Sequence, residues 1–473
     1  MSTSTLPLGI FFLFPLFLVA QTSNGTVVTS QVIASNQGDL VGPLQSYDAF
    51  GRSIATIGDL DGDGIDDIAV GAPGRSSNSP TDGAVWILFL NPNGTVKAEQ
   101  QIAENVGGFT GSIMGQEAFG NGLAYLGDLD GDNRPELAVG APGNTDASGF
   151  NPADSGAVFI LSLNTDGTVH DHTLISHNSG GLVLDYGDHF GYSVANAGDL
   201  DGDGRPELAV GSWGFNASRG ALHILFLNAD GTVNSFQRIS ETEGNFNRVL
   251  TPNDHFGCSI ALLDDINGDE RPDLAVGAYG SDQGGAFRGA VWFLQMQADG
   301  TVNTASSVIN GSHPQLQDTL SDFDYFGWSV SQVGDLDGDG RGEVAVGAPR
   351  TNTLGNGSGE GRLYLLFTGG YGILRGFATI SEDDGNLNQA LGVFAGLGSA
   401  LASPGDLDGD GIDDLWAGVY GYNGGVSGTG GIFRLTLEGK GEAQLQGRAM
   451  VYPDGLTDPV SAGRAYLFDL YDE

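Results

Sequence analysis

Six short acidic segments hold the residues best suited to chemistry in this chain of 473 residues. Each segment follows the pattern D-x-D-G-D-x-x-x-D/E, or differs from it at one position, so that acidic side chains stand at positions 1, 3, 5 and 9. Oxygen ligands that alternate along a glycine-containing turn can surround one hard cation, and about six to eight oxygens suit Ca²⁺. Mg²⁺ is the alternative, but its strict octahedral shell fits so many flexible carboxylates less well.

We number these segments loop 1 to loop 6 in chain order, and the backbone carbonyl of position 7 completes each predicted ligand set. Without a cation, four carboxylates in one tight turn would repel one another, which argues against acidic turns that hold no metal. An EF-hand is excluded, because position 12 of loop 1 is Val70 and its flanks are typical of strands. The candidate ligands are Asp59, Asp61, Asp63, Ile65 and Asp67; Asp128, Asp130, Asp132, Arg134 and Glu136; Asp199, Asp201, Asp203, Arg205 and Glu207; Asp265, Asn267, Asp269, Arg271 and Asp273; Asp335, Asp337, Asp339, Arg341 and Glu343; and Asp406, Asp408, Asp410, Ile412 and Asp414.

Each loop lies within a sequence unit that recurs every 66–71 residues. The first unit reads FGRSIATIGDLDGDGIDDIAVGAP, and similar units start near residues 50, 119, 190, 256, 326 and 397. A hairpin follows each unit, as in residues 84–90 and 95–103, with Asn-Gly or Asp-Gly at its tip to supply the positive φ of a tight turn. Four antiparallel strands per repeat predict the blades of an all-β propeller.

The two ends of the chain contain fragments of one further unit. Residues 24–35 copy the fourth-strand pattern, and residues 463–470 copy the third-strand pattern. Pairing of the two fragments would cover strand edges that an open propeller leaves exposed. The sequence therefore predicts seven blades, the last one reduced, without a calcium loop and closed by both termini; six blades are the alternative.

The charge balance excludes several classes of function. The chain has 59 Asp and Glu residues against 18 Lys and Arg residues, a formal net charge of −41. It therefore lacks the basic surface that binding to nucleic acid or to anionic lipid requires. Hydrophobic residues at 40% still supply a core, so the acidity does not indicate disorder.

The N-terminus is expected to direct secretion. Residues 6–20 form an uncharged apolar run that is short for a membrane span but suits a signal peptide cleaved near Ala20; an uncleaved signal anchor is the alternative. No second apolar run of that length follows. We therefore expect a signal peptide over 1–20, a single propeller over 21–473 without a membrane span, and an extracellular location, or the cell surface if a partner tethers the protein.

The Phe-Gly start, the D-x-D-G-D loop and the Gly-Ala-Pro end of the unit resemble FG-GAP repeats, as in the β-propeller of integrin α subunits. By motif, the resemblance covers residues 50–418. It implies calcium in the loops on one face of the propeller, and a ligand and a partner subunit on the opposite face. The interval between loops 2 and 3 leaves no room for an inserted domain, and no leg domains are expected.

Residues suited to catalysis are scarce. Neither G-x-S-x-G nor H-E-x-x-H occurs, and most aspartates belong to the predicted metal loops. The single cysteine, Cys258, could be a nucleophile, but a small core residue is favoured, because the equivalent positions of other units carry Arg52, Asn121, Tyr192 and Trp328. His170 and His172 can face one side of a strand, but a solvated strand face is favoured over a metal site.

Variable loops and glycosylation motifs are the remaining surface candidates. The loops between the second and third strands of each unit differ in length and composition, as binding loops on a regular scaffold commonly do. Their aromatic residues are Phe150, Phe215, Phe287, Tyr420 and Tyr422, for which packing onto the same blade is the favoured role over ligand contact. Five sequons are expected to be exposed, at Asn24, Asn93, Asn216, Asn310 and Asn356.

Together these features predict a secreted, calcium-binding, monomeric propeller that acts as an extracellular binding or adhesion module for a protein or glycan, and not as an enzyme. One alternative is the propeller part of an extracellular hydrolase, by resemblance to the phospholipase D that acts on glycosylphosphatidylinositol anchors. That role would need a catalytic domain, for which no residues are left over. The other alternative is a structural protein of a wall or matrix.

Overall fold

The computed structural model of the chain describes residues 24–74, 82–113, 117–144, 154–303, 306–353, 359–387, 389–422 and 428–439. Within these residues, six four-stranded antiparallel sheets form the blades of a propeller, which confirms the predicted all-β fold. The signal peptide predicted at 1–20, the fragment at 463–470, and the residues Phe150 and Asn356 lie outside the described residues.

Strand β1 (Thr26–Ala34) precedes five blades that each consist of four consecutive strands. Blade 1 contains β2 (Ser53–Gly58), β3 (Asp67–Ala72), β4 (Ala84–Leu90) and β5 (Val96–Ile102); blade 2 contains β6 (Leu123–Gly127), β7 (Glu136–Ala141), β8 (Ala157–Leu163) and β9 (Val169–Ile175); blade 3 contains β10 (Phe190–Asn196), β11 (Leu208–Ser212), β12 (Ala221–Leu227) and β13 (Val233–Ile239). Blade 4 contains β14 (Ile260–Leu263), β15 (Asp273–Ala278), β16 (Ala290–Leu294) and β17 (Ser307–Asn310); blade 5 contains β18 (Ser329–Val333), β19 (Glu343–Ala348), β20 (Arg362–Gly369) and β21 (Ile373–Ile380). Blade 6 contains β22 (Leu397–Gly405), β23 (Asp414–Val419) and β24 (Gly431–Glu438), and short helical turns occur at Ser179–Gly181, Phe215–Ser218 and Gly370–Gly372.

The burial of each strand follows its place in the blade. Strand β3 is buried at every residue, because neighbouring blades cover both faces of the inner sheet. Its continuous apolar run of Ile, Ala and Val is typical of a strand buried on both faces. Strand β5 is the outer edge strand of blade 1, and its polar residues lie between the buried Val96 and Ile102. The predicted hairpin of blade 1 is therefore confirmed.

Glycines of the repeat form the contacts between blades. A Cβ added to Gly71 would lie 2.0 Å from the carbonyl oxygen of Gly120 in the next blade. The equivalent glycine pair connects blade 6 to blade 1, because a Cβ on Gly418 would lie 2.1 Å from the carbonyl oxygen of Gly51. Ser53 adds a hydrogen bond of 2.7 Å from its Oγ to the carbonyl of Gly120. The glycines that make the repeat recognisable are thus required by the close approach of the blades.

The ring closes through the sixth blade. Strand β1 pairs antiparallel with β24, from Thr26 opposite Glu438 to Ala34 opposite Gly431. The prediction that the N-terminal strand helps to close the ring is confirmed, but its partner is β24 and not the predicted fragment at 463–470. The count of seven blades is wrong, and the alternative of six is correct. In the described residues the sixth unit supplies three strands, and the N-terminal strand covers the free edge of β24, so no further blade is needed. The closing blade also contains loop 6, contrary to prediction.

A central channel of about 400 Å³ is lined by the first strands of all six blades. At the end opposite the acidic loops, the guanidinium of Arg52 lies 5.1 Å from the ring centroids of both Tyr192 and Trp328. Arg52 also donates a hydrogen bond of 2.7 Å to Tyr192 Oη, so it joins three blades across the axis. Cys258 lines the same channel and is buried, which raises the pKa of its thiol to about 12 and confirms a packing role.

Candidate metal sites

The six acidic loops lie on one face of the propeller, which we call the loop face. Each loop joins the first and second strands of its blade, as loop 1 joins β2 to β3. Because all blades run in the same sense around the ring, this connection falls at the same end in each of them. The predicted grouping of the loops on one face is a consequence of this topology.

The first aspartate of each loop organises the turn. In loop 1, Asp59 Oδ1 accepts hydrogen bonds from the backbone N–H groups of Gly62 (2.8 Å) and Asp63 (2.9 Å), and Oδ2 accepts one from Gly64 (2.8 Å). The N–H of Ile65, at position 7, donates to Asp63 Oδ1 (2.9 Å). Equivalent bonds recur in the other five loops. The turn is therefore preformed by its own backbone.

The acidic residue at position 9 begins the second strand, or directly precedes it in blade 3, and is buried. In loop 1, Asp67 is 1% exposed; its Oδ2 accepts the N–H of Leu60 (3.1 Å), and its Oδ1 accepts the N–H of Leu90 (3.0 Å). Burial raises the pKa of Asp67 to about 6 and that of Glu343 to about 9. The pKa is raised by burial at the other position 9 residues as well, Glu136, Glu207, Asp273 and Asp414.

All six loops lie within the described residues, and in five of them the acidic groups converge. In these five loops, the carboxylate oxygens of each group lie within 4.8 Å of one another. The groups are Asp59, Asp61 and Asp67; Asp128, Asp130 and Asp132; Asp199, Asp201 and Asp203; Asp335, Asp337, Asp339 and Glu343; and Asp406, Asp408 and Asp414. Asp63, Glu136, Glu207 and Asp410 were also predicted as ligands but lie outside these groups. The chemistry of the convergent oxygens suits a hard divalent cation.

Loop 4 is the exception. Its position 3 is Asn267, whose Nδ2 lies 3.4 Å from Asp273 Oδ2 and 3.5 Å from Oδ1. The amide of Asn267 thus presents a hydrogen-bond donor to the position 9 carboxylate, where the other loops have an aspartate at position 3. The hairpin tip of blade 5 also contacts this loop, because the N–H of Tyr371 donates to the carbonyl of Ile266 (2.8 Å). The three predicted acidic ligands of loop 4, Asp265, Asp269 and Asp273, therefore do not form a convergent group like those of the other loops.

Loop 5 contains a buried carboxylate oxygen that the protein does not satisfy. Glu343 Oε2 accepts the N–H of Leu336 at 2.5 Å, whereas Oε1 is buried and has no hydrogen-bond partner in the described part of the chain. A buried carboxylate without full compensation is costly unless a cation or a proton neutralises it. Because Asp335, Asp337 and Asp339 lie beside Glu343, a cation here would neutralise all four groups.

Basic side chains reach two of the loops from the fourth strand of the blade, a contact that the sequence analysis missed. The register between β4 and β5 shifts at Lys97, which is therefore a β-bulge that re-aims its side chain. Lys97 Nζ lies 2.6 Å from Asp61 Oδ2 and also bonds Asp63 Oδ2. In blade 5 the register shifts at Arg375, which pairs with Asp339. The sequence does mark this position, because it directly follows the first buried aliphatic residue of the strand.

Comparison with known proteins supports the repeat assignment. The FG-GAP repeat family matches residues 50–88, 119–161, 190–225, 256–294 and 326–366. Integrin alpha-PS2 of Drosophila melanogaster is 30% identical over 296 residues, which are 62% of this chain and 19% of that protein. Integrin alpha-3 of Cricetulus griseus is 31% identical over 222 residues, 47% of this chain and 18% of that protein. The chain is an integrin-α-like FG-GAP repeat protein.

This FG-GAP protein spans about a fifth of the length of these integrin subunits. Its sixth unit, which starts at Leu397 instead of Phe, lies outside the matched repeats but forms a blade with the same loop geometry. Among solved structures, the exotype rhamnogalacturonan lyase YesX aligns with 82% of this chain and 73% of its own at 13% identity, with a TM-score of 0.33, too low to inform on activity. No helix in the described residues is long and apolar enough to cross a membrane.

The face of the FG-GAP protein opposite the loops carries a continuous series of aromatic contacts across blades 3 to 5. His255 stacks on Tyr279 with 4.6 Å between ring centroids, and Phe287 stacks on Phe323 with 5.6 Å. Further ring contacts join these pairs to one another. We call this series the aromatic belt; its members are His189, Tyr192, Trp213, His255, Tyr279, Phe287, Phe323, Tyr325 and Trp328.

Two of the other aromatic candidates, Phe215 and Tyr422, pack onto their own blades, as favoured by the sequence. Phe215 lies under the guanidinium of Arg238 at 4.6 Å, and Tyr422 contacts Phe433 with 5.5 Å between centroids. His172 also packs, against Phe109, with 5.1 Å between centroids. These side chains are therefore committed to packing within the propeller.

Two of the predicted glycosylation sites are not exposed. Asn24 and Asn310 are each 5% exposed, because Asn24 adjoins the closing strand and Asn310 ends β17, where its Oδ1 accepts the N–H of Ser312. The prediction of exposure is wrong for both. Asn93 and Asn216 are exposed, as predicted.

Proposed function

We propose that this FG-GAP protein is an extracellular, calcium-binding adhesion-type module. The observation that carries the proposal is the convergence of carboxylates in five loops, with the unpaired Oε1 of Glu343 among them. The integrin-α-like repeats support the same reading, because the resemblance implies calcium in these loops. Extracellular calcium, at roughly 1 mM, suits sites with Kd of about 10⁻⁴–10⁻³ M.

Lys97 affects loop 1 alone. Its ammonium bonds Asp61 and Asp63, so calcium in this loop would compete with a positive charge that already contacts two of the predicted ligands. The ligand set for each loop is the convergent carboxylates together with the remaining predicted oxygens, including the position 7 carbonyl. Calcium there would remove the repulsion among the carboxylates and fix the first two strands of each blade relative to one another.

The proposed ligand site is the face opposite the loops. That face carries the aromatic belt and the variable loops between the second and third strands, and aromatic side chains provide contact area at low cost in conformational entropy. We propose an extracellular protein or glycan as the ligand, with the propeller itself monomeric. Binding rather than catalysis is favoured, because the relatives that the chain matches are integrin alpha subunits.

The test is capture of extracellular material by the immobilised full chain in 1 mM calcium and, in parallel, in a chelator. We expect specific capture that calcium supports. Replacement of residues 143–156 by a short turn should abolish capture and leave calcium affinity intact; equal loss of both would show that this loop is structural. Release of protein from glycosylphosphatidylinositol anchors by the purified chain would instead favour the hydrolase alternative.

A further inference from the structure

Loops 1 and 6 form a natural matched pair. Both have the sequence DLDGDGIDD, at 59–67 and at 406–414. In both, the carboxylates at positions 1, 3 and 9 converge within 4.8 Å. The hydrogen bonds also match: the position 4 N–H donates to the first aspartate at 2.8 Å in loop 1 and 2.7 Å in loop 6, and the position 6 N–H donates at 2.8 Å in both. Any difference in their behaviour must come from their surroundings.

The surroundings differ at the bulge of the fourth strand. In blade 1 the bulge residue is Lys97, which bonds Asp61 and Asp63. In blade 6 the fourth strand is β1, and its register shift against β24 places Val28 at the bulge. Val28 is 50% exposed and carries no charge. Loop 6 therefore lacks the lysine contact that loop 1 has.

We propose that the bulge residue of the fourth strand sets the calcium affinity of the adjacent loop, so that loop 1 binds calcium about tenfold more weakly than loop 6. The inference rests on the proposed calcium binding. Lys97 occupies carboxylate oxygens that calcium requires, and its charge repels a divalent ion. A charge within about 4–6 Å changes the proton affinity of a carboxylate by about 10–1000-fold, and solvent screening at these exposed side chains favours the lower end.

The same position varies around the ring. Arg375 places a positive charge on loop 5, whereas Asn234 in blade 3 and Asn303 in blade 4 are neutral. Arginines at position 7 also pair with position 5 in loops 2 and 3, as Arg134 does with Asp132. Loops 1 and 6 both have isoleucine at position 7, but loop 6 has a basic contact of its own, because Arg434 Nη2 donates to the carbonyl of Leu407 (3.0 Å). The Lys97 and Val28 variants, each compared with the same loop in the wild type, therefore isolate the bulge residue. The propeller would then fill its sites over a range of calcium concentrations.

The experiment is a calcium titration of the full chain followed by hydrogen exchange and mass spectrometry. Peptides that contain the two loops differ in their flanks, TIG before loop 1 and SPG before loop 6, so each loop is read separately. In the wild type we expect the protection midpoint of loop 1 to lie at about tenfold higher calcium than that of loop 6. Lys97→Met should lower the loop 1 midpoint about tenfold and leave loop 6 unchanged.

Reciprocal and conservative variants complete the design. Val28→Lys should raise the loop 6 midpoint about tenfold, whereas Val28→Thr, which adds no charge, should not. Lys97→Arg keeps the charge and should keep the high midpoint of loop 1. Equal midpoints in the wild type, or a loop 1 midpoint that Lys97→Met does not move, would overturn the inference while calcium binding stands. If neither loop responds to calcium, the proposed function fails and the inference fails with it.

Discussion

Blades 1 and 6 contain the same nine-residue loop but are assembled differently. Blade 1 is built from four consecutive strands, β2 to β5, whereas blade 6 combines three strands from the end of the described chain with β1 from its start. The loop itself is a local structure, held by its own backbone and side chains. Its electrostatic environment depends on the neighbouring strands: Lys97 of the fourth strand contacts loop 1, whereas Arg434 of the third strand contacts loop 6. Identical motifs in a repeat protein need not be identical sites.

The largest effect is expected from a deletion that disrupts blade 6 and leaves all four strands of blade 1 in place. Deletion of residues 24–35 removes the fourth strand of blade 6 and exposes the edge of β24, so we expect misfolding or oligomerisation. Light scattering with size-exclusion chromatography and circular dichroism would measure it. Thr29→Ala is the control, because it removes one side-chain hydrogen bond to Thr436 and should leave a monomer. A well-folded monomer after the deletion would contradict closure through β1.

Calcium removal should destabilise both blades. At 1 mM calcium, a loop with a Kd of about 0.1 mM contributes about 1.4 kcal/mol, so five such loops contribute up to about 7 kcal/mol. With an unfolding entropy of about 2.1 cal/mol/K per residue over roughly 400 residues, this lowers the melting temperature by up to about 8 °C. Calorimetry with calcium and with a chelator would measure the shift. An unchanged melting temperature would refute the calcium sites.

The effect of pH should be shared by both blades. Asp67 and Asp414 have pKa values raised to about 6 by burial, above the ordinary 3.8, so in the calcium-free fold these groups favour stability at low pH and lose that contribution as pH rises through about 6. Calcium must displace their protons and therefore stabilises more at higher pH. We expect the calcium-induced rise in melting temperature at pH 5.0 to be about half that at pH 7.5. An equal rise at the two pH values would contradict this linkage.

The smallest change in melting temperature is expected when the position 3 aspartate is replaced in loop 1 or in loop 6. Asp408→Asn should remove a strong site and Asp61→Asn a site about tenfold weaker. At 1 mM calcium the losses are about 1.4 and 0.4 kcal/mol, or roughly 1.5 °C and 0.5 °C in melting temperature. Repeating both measurements in a chelator controls for any structural effect of the substitutions. A larger loss for Asp61→Asn would reverse the proposed order.

The sequence predicts what is local and repeated in this molecule. The strands, the hairpin of blade 1 and the acidic loops are each encoded within about ten residues, and six copies reinforce the pattern. The blade count was harder, because it depends on which distant strand pairs with residues 24–35. Lys97 was missed because its contact with loop 1 requires a bulge: its place after the first apolar residue of the strand is visible in the sequence, but hydrophobic alternation does not reveal the register shift. Burial of Asn24 likewise follows from its position beside the closing strand.

The pairing of β1 with β24 also orders events during protein synthesis. Thr29 bonds Thr436, which is 407 residues further along the chain. At about 5–20 residues per second, a ribosome needs roughly 20–80 s to make that interval. Throughout that time the earliest strand made has no partner, while blades 1 to 5 can each form from contiguous chain. The propeller can therefore assemble blade by blade on the ribosome, but its ring closes only after the last blade has emerged.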